Sequence, residues 1–189
     1  EDAAVRASVI DLDTIEVDLD VRSASDPSRE DFTTQSTLRF ASSVEETWVD
    51  FLGAAVDEVE INGEPHAVDW DGARVRLTGL GAQNTVRIRA RGCYSRSGEG
   101  LHRFTDPVDG AVYLYTQYEP ADSRRVYPCF EQPDLKARWT FHVTASSAGV
   151  VLSGGAETSR AEVDDGVRVS FAETPPLSSY VTAVAVGPY

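Results

Sequence analysis

Alternation of apolar and polar residues leaves this chain few ways to fold. Ile15, Val17, Leu19 and Val21 fall on one side of a segment whose other side carries Glu16, Asp18 and Asp20. A period of two belongs to a strand with one buried and one wet face. Val75 and Leu77 against Arg74 and Arg76 repeat the pattern, as do Val86, Ile88 and Ala90 against Arg87, Arg89 and Arg91. Between such segments stand Asn62-Gly63, Asp71-Gly72, Asp109-Gly110 and Asp165-Gly166, pairs that accept positive φ and suit tight turns between antiparallel neighbours. The expected fold class is all-β, an antiparallel β-sandwich or related multi-sheet domain.

Helical spacing is weak by comparison. No stretch beyond about 10 residues keeps a helical period, and the best candidate, Ala121 to Tyr127, is bracketed by Pro120 and Pro128 and predicts at most a turn or two. Tyr180 to Val186 is apolar enough for a fully buried strand, and it stops at Gly187-Pro188-Tyr189 without a polar tail, which reads as a cut. The chain contains no methionine, so processing or excision is expected to have made its amino terminus. No tract rich in Gly, Ser or Pro divides it, and residues 1–189 are expected to form one domain.

Charge narrows the choice of partners. Asp and Glu number 31 against 17 Lys and Arg, a formal net charge of -14. Such a field repels phosphate backbones and favours cationic or amine-bearing partners, so no nucleic-acid partner is expected. No apolar run approaches the roughly 20 residues that cross a bilayer, and no signal-like segment opens the chain. The expectation is a soluble protein without a membrane partner, located in the cytoplasm. Cys93 and Cys129 lie 36 positions apart without C-x-x-C pairing, and two reduced thiols are expected.

Several chemistries fail on inventory. The histidines are His66, His102 and His142, none within four positions of another, so H-E-x-x-H is absent. No G-x-S-x-G elbow is present, and the glycines at Gly98 and Gly100 or Gly154 and Gly155 match no phosphate-cradling spacing and read as turns. No metal site is expected within this chain.

The informative stretch is Val112 to Asp134, VYLYTQYEPADSRRVYPCFEQPD. If Val112 to Tyr118 is a strand, Tyr113, Tyr115 and Gln117 share one face, and Glu119 continues it just before Pro120 removes a ladder donor. A carboxylate beside an amide carbonyl at a strand end is a good receptor for an ammonium group, because charge-assisted hydrogen bonds are the stronger kind. The plainer reading has Glu119 capping the next turn and Gln117 satisfying a sheet edge. Arg124 and Arg125 are expected to form an internal ion-pair network with Glu131 and Asp134.

This stretch, with YSRSGEGLHRF at Tyr94 to Phe104 and FAETPPLSSYVTAVAVGPY at Phe171 to Tyr189, closely resembles the amino-terminal domain of the aminopeptidase N family of zinc metallopeptidases. The resemblance implies an all-β, saddle-shaped domain followed, in the family, by a thermolysin-like catalytic domain carrying H-E-x-x-H and G-x-M-E-N. Neither motif occurs here. It implies that the chain is part of a longer enzyme and inactive alone, with zinc bound elsewhere in the full-length protein. It assigns Glu119 to the free α-amino group of a peptide and Gln117 to the pocket for its first side chain. The implied partners are peptide amino termini and the catalytic domain of the same polypeptide. One branch, resembling leukotriene hydrolase, has glutamine where Glu119 stands, so the glutamate favours an ordinary aminopeptidase. An exposed apolar patch is expected where the catalytic domain docks. The competing reading is a non-catalytic β-sandwich that serves as a binding or scaffold module, since fold alone does not set function.

Overall fold

A computed structural model describes residues 2–146 and 149–189. A short helix, α1 (Asp2–Val9), leads into β1 (Ile10–Asp20), β2 (Asp31–Ser42), β3 (Glu46–Asp50), β4 (Ala55–Ile61), β5 (Glu64–His66), β6 (Arg74–Thr78) and β7 (Gln83–Cys93). There follow β8 (Gly100–Thr105), β9 (Val112–Gln117), β10 (Arg138–Ala145), β11 (Val150–Ser153), β12 (Glu157–Val163), β13 (Gly166–Phe171) and β14 (Val184–Gly187). These strands build an eight-stranded sheet in the order β12-β13-β10-β1-β2-β7-β4-β5, a four-stranded sheet β11-β14-β9-β8, and the pair β3-β6. The domain is all-β with several sheets and no barrel.

The alternating segments fall where their pattern put them. Ile15, Val17, Leu19 and Val21 are buried, as are Val75, Leu77, Val86, Ile88 and Ala90. Asn62 (φ 54°) and Gly63 (φ 88°) make the two-residue turn between β4 and β5, the left-handed pair that matches the twist of a hairpin. Buried side chains of all three sheets join in one core, with Trp139, Phe141, Tyr127 and Tyr118 as its aromatic centre.

Three features depart from the sequence reading. β1 pairs antiparallel with β2 but parallel with β10, from Thr14 opposite Arg138 to Asp20 opposite Thr144. α1 exists although its residues show little helical periodicity, because its own Arg6 fastens it to distant parts of the domain. Arg6 is buried, donates to Asp50 Oδ2 (2.9 Å) and Gln132 Oε1 (3.0 Å), and lies over the Trp48 ring at 4.8 Å. Gln132 returns a hydrogen bond to the Ala3 carbonyl. The segment from Tyr180 to Val186 is not one strand: Ser179–Val181 forms a 3-10 turn with Val181 exposed, and pairing begins only at Val184. Cys93 and Cys129 are free thiols, the first exposed and the second buried.

Candidate functional site

The site grows from the end of β9. Leu114 and Tyr118 turn inward and are buried, while Tyr115, Gln117 and Glu119 stand exposed on the other side. Tyr118 fixes this phase: its ring meets Tyr127 edge-on at 5.8 Å. Thr116, also on the inner side, accepts the Val184 N–H on its hydroxyl at 2.9 Å. Gln117 and Glu119 are thus held on one side by their buried neighbours, as the period of two requires. Neither side chain forms a hydrogen bond or ion pair with any described residue, and the plainer capping reading of Glu119 finds no contact to support it.

A tightly held glycine stands beside Gln117. In the β8–β9 ladder Gln117 faces Gly100, whose φ of 63° lies in the left-handed region. A Cβ there would meet the Arg125 Cβ at 3.0 Å. Side-chain length and backbone conformation therefore both favour glycine. Its sequence signal, a glycine near the start of a strand, gives no hint of the residue it faces.

Beyond Glu119, whose bond to Pro120 is cis, the chain turns so that Asp122 N–H donates to the Tyr118 carbonyl (2.8 Å). It then makes the 3-10 turn Ser123–Arg125, the short helical element expected between the two prolines. The expected ion-pair network takes another form. Arg125 pairs with Asp122 (2.6 Å) and Glu99 (3.5 Å), Arg124 donates to the Ala121 carbonyl, and Asp134 is exposed. Glu131 takes its bonds from the Ser123 hydroxyl, the Arg124 backbone N–H (2.6 Å) and the Ser179 hydroxyl (2.9 Å). Burial pushes the Glu131 carboxyl above the ordinary glutamate value of 4.5, against those donors.

The outer face of the four-stranded sheet runs up to this site. Leu152 of β11 (52% exposed), Tyr115 of β9 (42%) and Phe104 of β8 (46%) lie on it. Cross-strand register aligns Leu152 with Ala185, Ala185 with Tyr115, and Tyr115 with His102. Together these side chains leave an exposed apolar strip across the small sheet.

The residues present do not suit a zinc ion. Among the described residues no group of three His, Cys, Asp or Glu side chains is arranged to hold a metal. His142 uses both ring nitrogens on Ser170 and Glu16, His102 Nδ1 accepts the Gly98 N–H, and His66 sits on the edge strand β5. Burial drives the Cys129 thiol far above its ordinary range, which suppresses the thiolate a metal would need.

The M1 zinc metallopeptidase of Deinococcus radiodurans, in a mutant form, superposes with a TM-score of 0.81 at 21% identity, over 95% of this chain and 42% of that one. A mutant of the same enzyme bound to a Tyr-Ser-Ala substrate gives 0.78 over 95% and 43%. The family described as Peptidase M1 N-terminal domain matches residues 17–181, and the chain belongs to it. Aminopeptidase N of Streptomyces lividans is 41% identical over 196 residues, covering 100% of this chain and 22% of the relative. A probable aminopeptidase 1 of Sulfurisphaera tokodaii is 27% identical, over 80% and 19% respectively. The chain thus spans about a fifth of the length of these two relatives.

Proposed function

We propose that these 189 residues act as one unit, the substrate-recognising β domain of a zinc aminopeptidase that removes amino-terminal residues from peptides. Glu119 anchors the free α-ammonium group, and Gln117 lines the pocket for the first side chain. One observation carries the reading: both side chains stand exposed at the margin of the small sheet, without a partner among the described residues and beside its apolar outer face. A free carboxylate at a fixed sheet margin gives a charge-assisted bond to an ammonium group without first breaking an internal one. The net charge of -14 adds a field that draws cationic peptide ends toward the domain.

An exopeptidase must fix the distance from substrate amine to scissile carbonyl, and Glu119 supplies one end of that measure. The metal and the groups that activate water belong to a catalytic domain of the same polypeptide, which packs on the face carrying Leu152, Tyr115 and Phe104. The free thiols at Cys93 and Cys129 suit a reducing compartment, the cytoplasm. No helix among the described residues is long and apolar enough to cross a membrane.

The test is Glu119→Ala in the intact enzyme, assayed on aminoacyl amides. Loss of a charged hydrogen bond should lower kcat/KM by about 1.5 to 3 kcal/mol. Unchanged kinetics would remove the anchor role. The 189 residues alone should hydrolyse no aminoacyl amide, and zinc should leave their melting temperature where it is.

A further inference from the structure

Glu131 joins three parts of the molecule that are distant in sequence. Its Oε1 accepts the hydroxyls of Ser123 and of Ser179, the latter at 2.9 Å, and its Oε2 accepts the Arg124 backbone N–H at 2.6 Å. Its own backbone N–H donates to Asp50 Oδ2 (3.1 Å), the same oxygen that holds the buried Arg6 guanidinium. Ser123 and Arg124 follow Glu119 by four and five residues, and the turn between them is closed by the bond from Asp122 to Tyr118. The carboxylate therefore grips the far end of the loop that begins at Glu119. Behind it stand the Ser179 turn and the Arg6–Asp50 pair.

Burying an acid costs free energy, and burial outweighs the donors enough to raise the Glu131 carboxyl above its ordinary range. An alanine would spare that cost but leave two hydroxyls and a backbone N–H without their acceptor. From this geometry we infer that Glu131 is a positioning residue for substrate recognition: it fixes the loop from Tyr118 to Arg125 so that the Glu119 carboxylate meets the substrate ammonium. The inference rests on the anchor role proposed for Glu119. Small misplacements of an anchoring group are expensive in rate, which is why a residue that never touches substrate can matter to it.

A double-mutant cycle in the intact enzyme tests this. Glu131→Ala should lower kcat/KM about tenfold when Glu119 is present and less than about twofold when Glu119 is already alanine. Glu131→Gln should stay within about threefold of wild type, because its amide oxygen can take the Arg124 N–H while its NH2 donates to the serine hydroxyls. Amide exchange at Arg124 should accelerate about tenfold in Glu131→Ala and much less in Glu131→Gln. Equal losses of activity with and without Glu119, or unchanged exchange at Arg124, would overturn the assignment. If Glu131→Ala fails to fold, Ser179→Ala carries the same cycle with an expected loss of about threefold. If Glu119→Ala alone leaves kinetics unchanged, the anchor reading fails, and exchange at Arg124 still decides whether Glu131 holds the loop.

Discussion

The two larger sheets treat their outer faces in opposite ways. On the eight-stranded sheet, outward polar groups find partners across the strands: Arg89 meets Glu58, Arg87 meets Glu60, Arg168 meets Asp18, and His142 meets Glu16. On the four-stranded sheet the outward positions include Leu152, Tyr115 and Phe104, and the carboxylate at its margin, Glu119, has no partner among the described residues. A face whose polar groups satisfy one another has nothing left to offer. An apolar face that ends in an acid without a described partner is the kind of surface an interaction site presents.

That contrast can be broken most severely on the open face. Leu152→Asp should destabilise the intact enzyme by about 2 to 3 kcal/mol, since it places a charge where an apolar side chain would be covered. The same change should cost the 189-residue domain less than about 0.5 kcal/mol, because there Leu152 meets solvent. Thermal melts of both proteins measure the difference, and equal effects would deny that this face is covered in the longer chain. Next in size is Gly100→Ala. Left-handed backbone and a tight approach to Arg125 should cost about 1 to 2 kcal/mol of domain stability, and peptidase activity in the intact enzyme should fall as the Arg125 turn that follows Glu119 is displaced.

A smaller effect separates charge from geometry at Glu131. Its folded-state pKa lies above the ordinary value of 4.5, so its contribution to stability is fully present below that value and is lost as pH rises through the folded pKa. Glu131→Gln lacks this titration. Its melting temperature relative to wild type should therefore rise with pH across that window, and a flat difference would mean that burial does not perturb the acid. The smallest effect belongs to the closed face: Arg89→Ala removes an exposed pair and should shift stability by no more than about 0.5 kcal/mol in domain and enzyme alike.

Much of this contrast was legible in the chain. Period-two spacing located the buried rows of β1, β6 and β7, and along β9 it put Gln117 on one face with Tyr113 and Tyr115, a face that Glu119 continues. Local pattern could not reach α1, whose place is fixed by contacts from Arg6 to Asp50 and Gln132, residues 44 and 126 positions away. At Glu131 the sequence suggested the correct neighbour and the wrong atoms. Proximity in sequence pointed to the Arg124 guanidinium, whereas the fold supplies the Arg124 backbone N–H and two hydroxyls. Gly100 was read as a turn, because its partnership with Gln117 depends on ladder register, which spacing along one strand does not encode.

The parallel pairing of β1 with β10 also governs the order of events during synthesis. β1 can take β2 as a neighbour soon after both leave the ribosome, but its second edge stays bare until Arg138–Ala145 has been made. Until then an amphipathic strand waits with one row of backbone groups unpaired, open to capture by other nascent chains. Closing so long a loop also slows folding.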